Sequence, residues 1–403
     1  MMQSSEADSS DVASDAKRQP MMGAPPDQAV LARVGADRDF DLGHALRWAA
    51  KARQISVTRL AFDIVRRQVG RQKLTAKDYF HFGLHLDRFT NAVRAEYLGD
   101  GATRLLNRSL ADQTTVEIWR DKVLAADVLR QAGLPTPEIR AVFAPMGRPG
   151  AFRHLITEQD LVTYLAQDAV VPFFGKPVRS KAGIGAASFV ARDAQNRLIL
   201  GDGRVVDAAA LAREILLTYP QGYMFQDKMR QHRDLAALAG PVMCSLRVMS
   251  LWVGGRYVAL YSNMRLPAPG AMLDITCTSS AAIGLADGRI LRTQDGRRLG
   301  GHSLEISHVT GARLIGAQLP HWDRVIALSQ AAHGLFPAQG VLGIDIALTE
   351  DGPTIVELNA GPGHGGHHQT NDRGILKPEF RALFADALAE RGITKRGRGM
   401  LVP

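Results

Sequence analysis

The chain is most tightly constrained near its end, where Gly340 to Gly363 reads GVLGIDIALTEDGPTIVELNAGPG. Val341 to Leu348 and Thr354 to Leu358 alternate like strands about the turn signal Asp351-Gly352, which predicts a β-hairpin. A three-residue loop, with Gly352 in the left-handed conformation that glycine adopts at little cost, places Asp345 opposite Glu357. Strand period two puts Asn359 on the same face. Two carboxylates and an amide oxygen converging on one point suit a hard cation: Mg2+ takes oxygen ligands, keeps waters and is commonly shared with nucleotide phosphates. A two-residue turn would shift the register by one and send Asp345 and Glu357 to opposite faces, so the metal site depends on the turn. The bland alternative is a solvent-facing acidic hairpin. Against it, Ile344, Ile346, Ile355 and Val356 suggest a largely buried hairpin, and buried carboxylates need partners.

At 403 residues with 46% apolar content, the chain can bury a large core and is expected to form two or three domains. Its formal net charge of +9 favours anionic partners such as nucleotides, phosphorylated sugars or acidic lipid surfaces. The charge is scattered, with small clusters at Arg66, Arg67, Arg71 and Lys73 and in the tail at Arg391, Lys395, Arg396 and Arg398. No nucleic-acid motif accompanies them, and no specific nucleic acid is expected as a partner. The two cysteines, Cys244 and Cys277, fit a reducing compartment without a disulfide framework. No apolar run reaches the roughly 18 residues of a membrane helix, and the N-terminus lacks the charged and apolar regions of a secretory signal. A cytoplasmic protein is expected, with peripheral membrane contact left open.

Residues 1–28 are rich in Ser, Asp, Ala and Pro and are expected to be a disordered tail. Residues 29–115 read as a helical N-terminal module. Leu42, Leu46, Ala49, Val57, Leu60, Ala61, Ile64 and Val65 recur at helical spacing, and Lys73 to Leu98 follows as a further helical stretch that opens at Thr75 with Asp78 as a capping pair. Its aromatics, Tyr79, Phe80 and Phe82, read as core. Residues 116–220 form a first lobe, residues 221–392 a second, and 393–403 a basic tail.

In the first lobe, Lys122 opens a helix that Gly133 and Pro135 end. A cation there is mildly unfavourable against the helix dipole, and an anion bridging the lysine and the free N–H groups relieves the conflict. A β run with Phe174, Lys176 and Val178 on one face leads into Ser180-Lys181-Ala182-Gly183-Ile184-Gly185. Small residues let backbone N–H groups approach phosphate oxygens, although the spacing is not that of a P-loop and an ordinary hairpin turn explains it equally well. Asp207 is expected to cap a helix to Leu217. Gly222 to Met229 reads as a short strand with a polar end, an edge suited to bonding a purine.

In the second lobe, Ser245 to Val253 and Arg256 to Arg265 form a hairpin about Gly254-Gly255. Arg247 and Arg265 lie within it, where an arginine usually has an anionic partner or reaches solvent. Leu273 to Ile283 is expected to be a pocket-lining loop. His321 to Leu335 and Phe380 to Arg391 read as helices. His364 to Asp372, with three histidines, admits zinc but reads better as a mobile Gly-rich loop touching substrate.

The order of these parts resembles the ATP-grasp superfamily, in which two α+β lobes clasp ATP, from about Asp121 to Gly363. ELNAGPG is close to that family's E-x-N-x-x-P-G. SLRV at Ser245 to Val248, Arg265 and DITCTSSAAI look like the glutamate ligases, while LTAKDYFHFGLH in the N-terminal module together with the terminal hairpin looks most like the sugar-transfer-associated ATP-grasp family. The resemblance implies an α+β ATP-grasp fold preceded by a helical module, with ATP and Mg2+ as cofactors and Mn2+ as a substitute. It implies that Lys122 and Lys176 contact phosphates, that the loop with Ser180, Gly183 and Gly185 closes over them, and that Gln226, Asp227, Lys228 and Met229 hold adenine. Asp345, Glu357 and Asn359 would hold the metal. Gly343 stands where some ligases carry an arginine, so Arg247 or Arg265, with Lys176, would supply the catalytic charge. The implied activity is a carboxylate-amine ligase that phosphorylates a carboxylate and lets an amine displace the phosphate. Its substrates would be a small-molecule carboxylate and an amine, with glycan-assembly partners. A kinase acting on a sugar or lipid hydroxyl, and a nucleotide-binding accessory protein, are the competing expectations.

Overall fold

The structure, a computed structural model, describes residues 30–31, 40–181, 183–274, 279–295 and 302–393. The tail expected at 1–28, the basic tail after residue 393 and Cys277 lie outside the described residues.

The N-terminal part is helical. Asp41 and Ser56 cap helices Leu42–Ala52 and Val57–Val69 by accepting from the N–H groups of His44 and Arg59. Leu60 and Ile64 are buried, whereas Val57 and Val65 of the same periodic pattern are exposed. Lys73 to Leu98 is not one helix. Thr75 and Asp78 do form a capping box on Ala76–His81, but the helix stops before Gly83, whose φ of 68° is left-handed, and only the single turn Asn91–Arg94 follows. Tyr79 and Phe80 are fully buried in this module's own core.

Two sheets follow. The first contains β1 (Ile139–Phe143), β2 (Arg153–Leu155), β3 (Phe173–Pro177), β4 (Ala187–Arg192), β5 (Leu198–Leu200), β6 (Val205–Val206) and β7 (Tyr223–Asp227), in the order β2-β1-β7-β3-β4-β5-β6. A core of Phe143, Phe173, Phe189 and Phe225 packs this sheet against helices Glu158–Leu165 and Ala208–Thr218. Asp207 stands at the N-cap position of the latter without a side-chain capping bond, so its cap is positional only. Strand β7 is interior, paired with β1 on one side and β3 on the other, which corrects its expected place at an edge. Its backbone donors are engaged in the sheet, and only the residues beyond Asp227 leave it.

The second sheet contains β8 (Leu246–Val253), β9 (Arg256–Leu266), β10 (Ser279–Ile283), β11 (Ile290–Gln294), β12 (Val341–Thr349) and β13 (Gly352–Asn359), ordered β11-β10-β9-β8-β12-β13. The turn at Gly254 and Gly255 has both residues at positive φ, as a tight hairpin requires. Part of the stretch expected to be a loop, 279–283, is instead a buried strand. His364 to Asp372 is not a mobile loop either: Gly365–Thr370 is a short helix, and His364, His367 and His368 are buried. Among the described residues no helix is long and apolar enough to cross a membrane.

The hairpin of β12 and β13 has a two-residue loop, since Thr349 pairs with Gly352, and this contradicts the three-residue turn expected. The face-flipping that such a turn would cause is undone by a β-bulge. Ile346 pairs with Ile355 and Asp345 with Glu357, leaving Val356 as the extra residue. Asn359, opposite Gly343, shares the face of Glu357.

Candidate functional site

Between the sheets lies a cavity of about 1030 Å3, at the upper end of the range for small-molecule sites. Eight Lys and Arg residues line it against four carboxylates, an excess of positive charge suited to an anion.

Its wall on the second sheet is the bulged hairpin. The Arg247 Nε and Nη2 each donate to an Asp345 carboxylate oxygen at 2.6 Å, across the pairing of β8 with β12. The Asn359 Nδ2 donates to Asp345 Oδ2 at 3.2 Å. Burial by itself would lower the Arg247 pKa, but the Asp345 carboxylate beside it more than offsets this and holds it above the usual arginine range. Gly343 is where β12 meets Pro362: a Cβ there would lie 2.8 Å from the proline Cβ, so an arginine has no room. The cation beside Asp345 comes instead from the neighbouring strand.

The wall on the first sheet carries the two lysines. Asp121 caps helix Lys122–Gln131 by accepting from the N–H groups of Val123 and Leu124, which fixes Lys122 at its first position. Lys122 Nζ donates to the Ser180 carbonyl at 2.7 Å and lies 3.4 Å from Glu357 Oε1. Lys176, on β3, donates to the Val356 carbonyl at 3.4 Å. That carbonyl belongs to the bulge residue, so the irregularity in the hairpin meets the lysine of the opposite sheet. Lys176 is 7% exposed, and burial draws its pKa down to about 8, with Glu357 pulling it up and Lys122 pushing it further down. The Gly-rich turn packs closely behind. Gly185 has a φ of 76°, its carbonyl accepts from the Tyr223 hydroxyl, and a Cβ would stand 2.5 Å from Pro177 and Tyr219 atoms.

Gln226, Asp227, Lys228 and Met229 all line the cavity where β7 ends, as do Ser180 and Gly183 from the loop and Arg265 from β9. Asp227 is engaged by Arg140 from β1. Sequence reasoning did not single out Asp274 or Trp119, which also line the cavity. For Asp274 the signal was present, because it lies in the stretch expected to border a pocket. Trp119 looks in sequence like any core aromatic. Among the described residues no group of three or more His, Cys, Asp or Glu side chains is arranged to hold a metal.

No curated protein matches the chain. Among solved structures it is similar to an L-amino acid ligase from Bacillus licheniformis, at 14% identity and a TM-score of 0.34, over 63% of this chain and 43% of that one. A D-alanine-D-alanine ligase from Helicobacter pylori is similar at 10% identity and a TM-score of 0.38, over 68% of this chain and 61% of that one. An N5-carboxyaminoimidazole synthase from Aspergillus clavatus, in complex with ADP and 5-aminoimadazole ribonucleotide, is similar at 12% identity and a TM-score of 0.36, over 68% and 53%. The chain thus spans about half the length of the solved proteins it matches. The model of the family described as sugar-transfer associated ATP-grasp matches residues 102–381, more than half of the chain and all of both sheets. The chain belongs to the sugar-transfer associated ATP-grasp family.

Proposed function

We propose that the protein is an ATP- and Mg2+-dependent carboxylate-amine ligase working through an acyl-phosphate, on a substrate of sugar-conjugate or polysaccharide assembly. The observation that carries this is the meeting, across one cavity, of Asp345, Glu357 and Asn359 from the second sheet with Lys122 and Lys176 from the first.

The donor set fits Mg2+, or Mn2+ in its place. Two carboxylates and an amide are what such an ion takes alongside phosphate oxygens, and the Asn359 to Asp345 bond holds two of the three within reach of each other. When bound, the ion would supply charge neutralisation to the nucleotide phosphates. The protein's own groups do the rest. Lys122, now on Glu357, and Lys176, now on the Val356 carbonyl, would turn toward phosphate oxygens, and the loop of Ser180, Gly183 and Gly185 would offer backbone N–H groups over them. Gln226, Asp227, Lys228 and Met229, at the end of β7, form the base-binding stretch. Arg247 and Arg265, which line the same cavity, would offset the carboxylate and phosphate charges that crowd together as the first step proceeds. Positioning and electrostatics suffice for such a transfer, and no side-chain nucleophile is required.

The test is ADP release by the full chain with MgATP and paired carboxylic acids and amines, followed by mass spectrometry. An amide product with ADP is expected. A stable phosphorylated product without an amide would instead make the protein a kinase. Nucleotide binding with no ADP release across the panel would make it an accessory protein.

A further inference from the structure

Helix Val57–Val69 carries two apolar rows. Leu60 and Ile64 are buried in the module's own core, while Phe62, Val65 and Val69 are 71%, 53% and 76% exposed. Spaced three and four residues apart, these three stand one above the other along a single outward face. With its core side already satisfied, the helix gains nothing in water from a second apolar row, and a contiguous exposed row of this kind marks a surface that something covers.

The charge around the row is equally one-sided. From Leu42 to Lys73 there are eight Lys and Arg residues against one acid, Asp63, so this short stretch holds seven of the chain's nine net positive charges. Asp63 is already committed to Arg66, Arg67 and the Tyr79 hydroxyl. Arg59 and Arg66, both exposed, lie three residues before and four after Phe62 and form a basic row directly beside the apolar one.

The two rows together select the occupant. A second copy would bring the same positive stretch against itself, so charge opposes a symmetric dimer across this face. Nucleic acid would take the arginines but has no use for the valines, since its backbone is met by charged and polar groups and its bases stack on aromatic rings. Apolar side chains with arginines beside them match the surface of an anionic bilayer, where the apolar row enters the headgroup boundary and the cations meet lipid phosphate. No described helix is long and apolar enough to cross a membrane, so the contact is with the surface of one leaflet.

We propose that the outward face of helix Val57–Val69 docks the protein on anionic phospholipid bilayers. Docking is independent of the reaction in the cavity, which none of Phe62, Val65 and Val69 lines. The test is sedimentation of the full chain with vesicles of phosphatidylcholine alone and of phosphatidylcholine mixed with phosphatidylglycerol. Wild type is expected to bind the mixed vesicles and not the neutral ones, with affinity falling as NaCl is raised. Phe62→Ser combined with Val69→Ser is expected to lower partitioning at least ~10-fold, because two apolar side chains no longer enter the interface. Arg59→Glu is expected to lower it at least ~5-fold. Unchanged melting temperatures report that the variants are folded, and if the double variant melts early, Val69→Ser alone and Arg59→Glu carry the test. Absence of wild-type binding to the mixed vesicles, equal binding to the neutral ones, or wild-type binding by the variants overturns the docking face. So does a dimer in light scattering that the double variant dissociates, or binding to an RNA oligonucleotide with none to the vesicles.

Discussion

At Lys176, burial and charge work against each other. Burial lowers its pKa from 10.5 to about 8, and the carboxylate of Glu357 only partly restores it. A lysine whose folded pKa lies below its unfolded value penalises the folded state at every pH below the folded pKa, and the penalty fades as pH rises from about 8 toward 10.5. Lys176→Met is therefore expected to raise the apo-protein's stability at pH 7, by at most ~2 to 3 kcal/mol, with the difference vanishing by pH 10.5. Calorimetric melting across that range checks it, and a variant less stable than wild type at pH 7 would refute it. The same variant should lose ATP turnover. Glu357→Gln is expected to keep its fold and lose ~10² to 10³ in the rate of ADP release. ADP release at the wild-type rate would remove Glu357 from the site.

At the level of the hairpin, the sequence placed Asp345, Glu357 and Asn359 on one face but relied on the wrong turn. Asp351-Gly352 signals a hairpin without stating the loop length, and a bulge leaves no compositional mark, so two departures that cancel were both illegible. The edge position expected for this strand was wrong for a related reason: the polar end of Gly222 to Met229 resembles an edge strand, while its neighbours β1 and β3 come from distant parts of the chain. His364 to Asp372 looked mobile because of its glycines, yet its histidines are buried against Tyr261, Phe82 and Tyr97. The contact of Gly343 with Pro362 likewise appears only in three dimensions. Gly343→Ala is expected to force β12 and the Pro362 segment apart, costing ~1 to 3 kcal/mol and weakening nucleotide binding. Thermal melting and a nucleotide titration check it, and an unchanged melting temperature would show that the segment yields freely.

Across the whole molecule, the helical N-terminal part is fastened to the segment that follows the hairpin. Glu96, buried, accepts from Arg373 Nε and Nη2 at 2.6 and 2.7 Å, and Asn107 donates to the Pro362 carbonyl at 2.8 Å. These partners lie 277 and 255 positions apart, a separation at which sequence periodicity carries no information. Glu96→Ala is expected to remove both hydrogen bonds to the Arg373 guanidinium, lower stability by ~1 to 2 kcal/mol, and speed hydrogen exchange at Gly363 to Arg373. Exchange limited to the helical part would show that the two are uncoupled.

The ion pairs of Arg247 with Asp345 and Lys122 with Glu357 have a thermodynamic corollary for loading. A divalent ion arriving alone meets carboxylates whose charge is already spoken for, and a bare nucleotide must first pull cations from their acids. Taken up together, each ligand releases the groups the other needs. Metal and nucleotide should then reinforce one another's affinity by one common factor, whichever is added first.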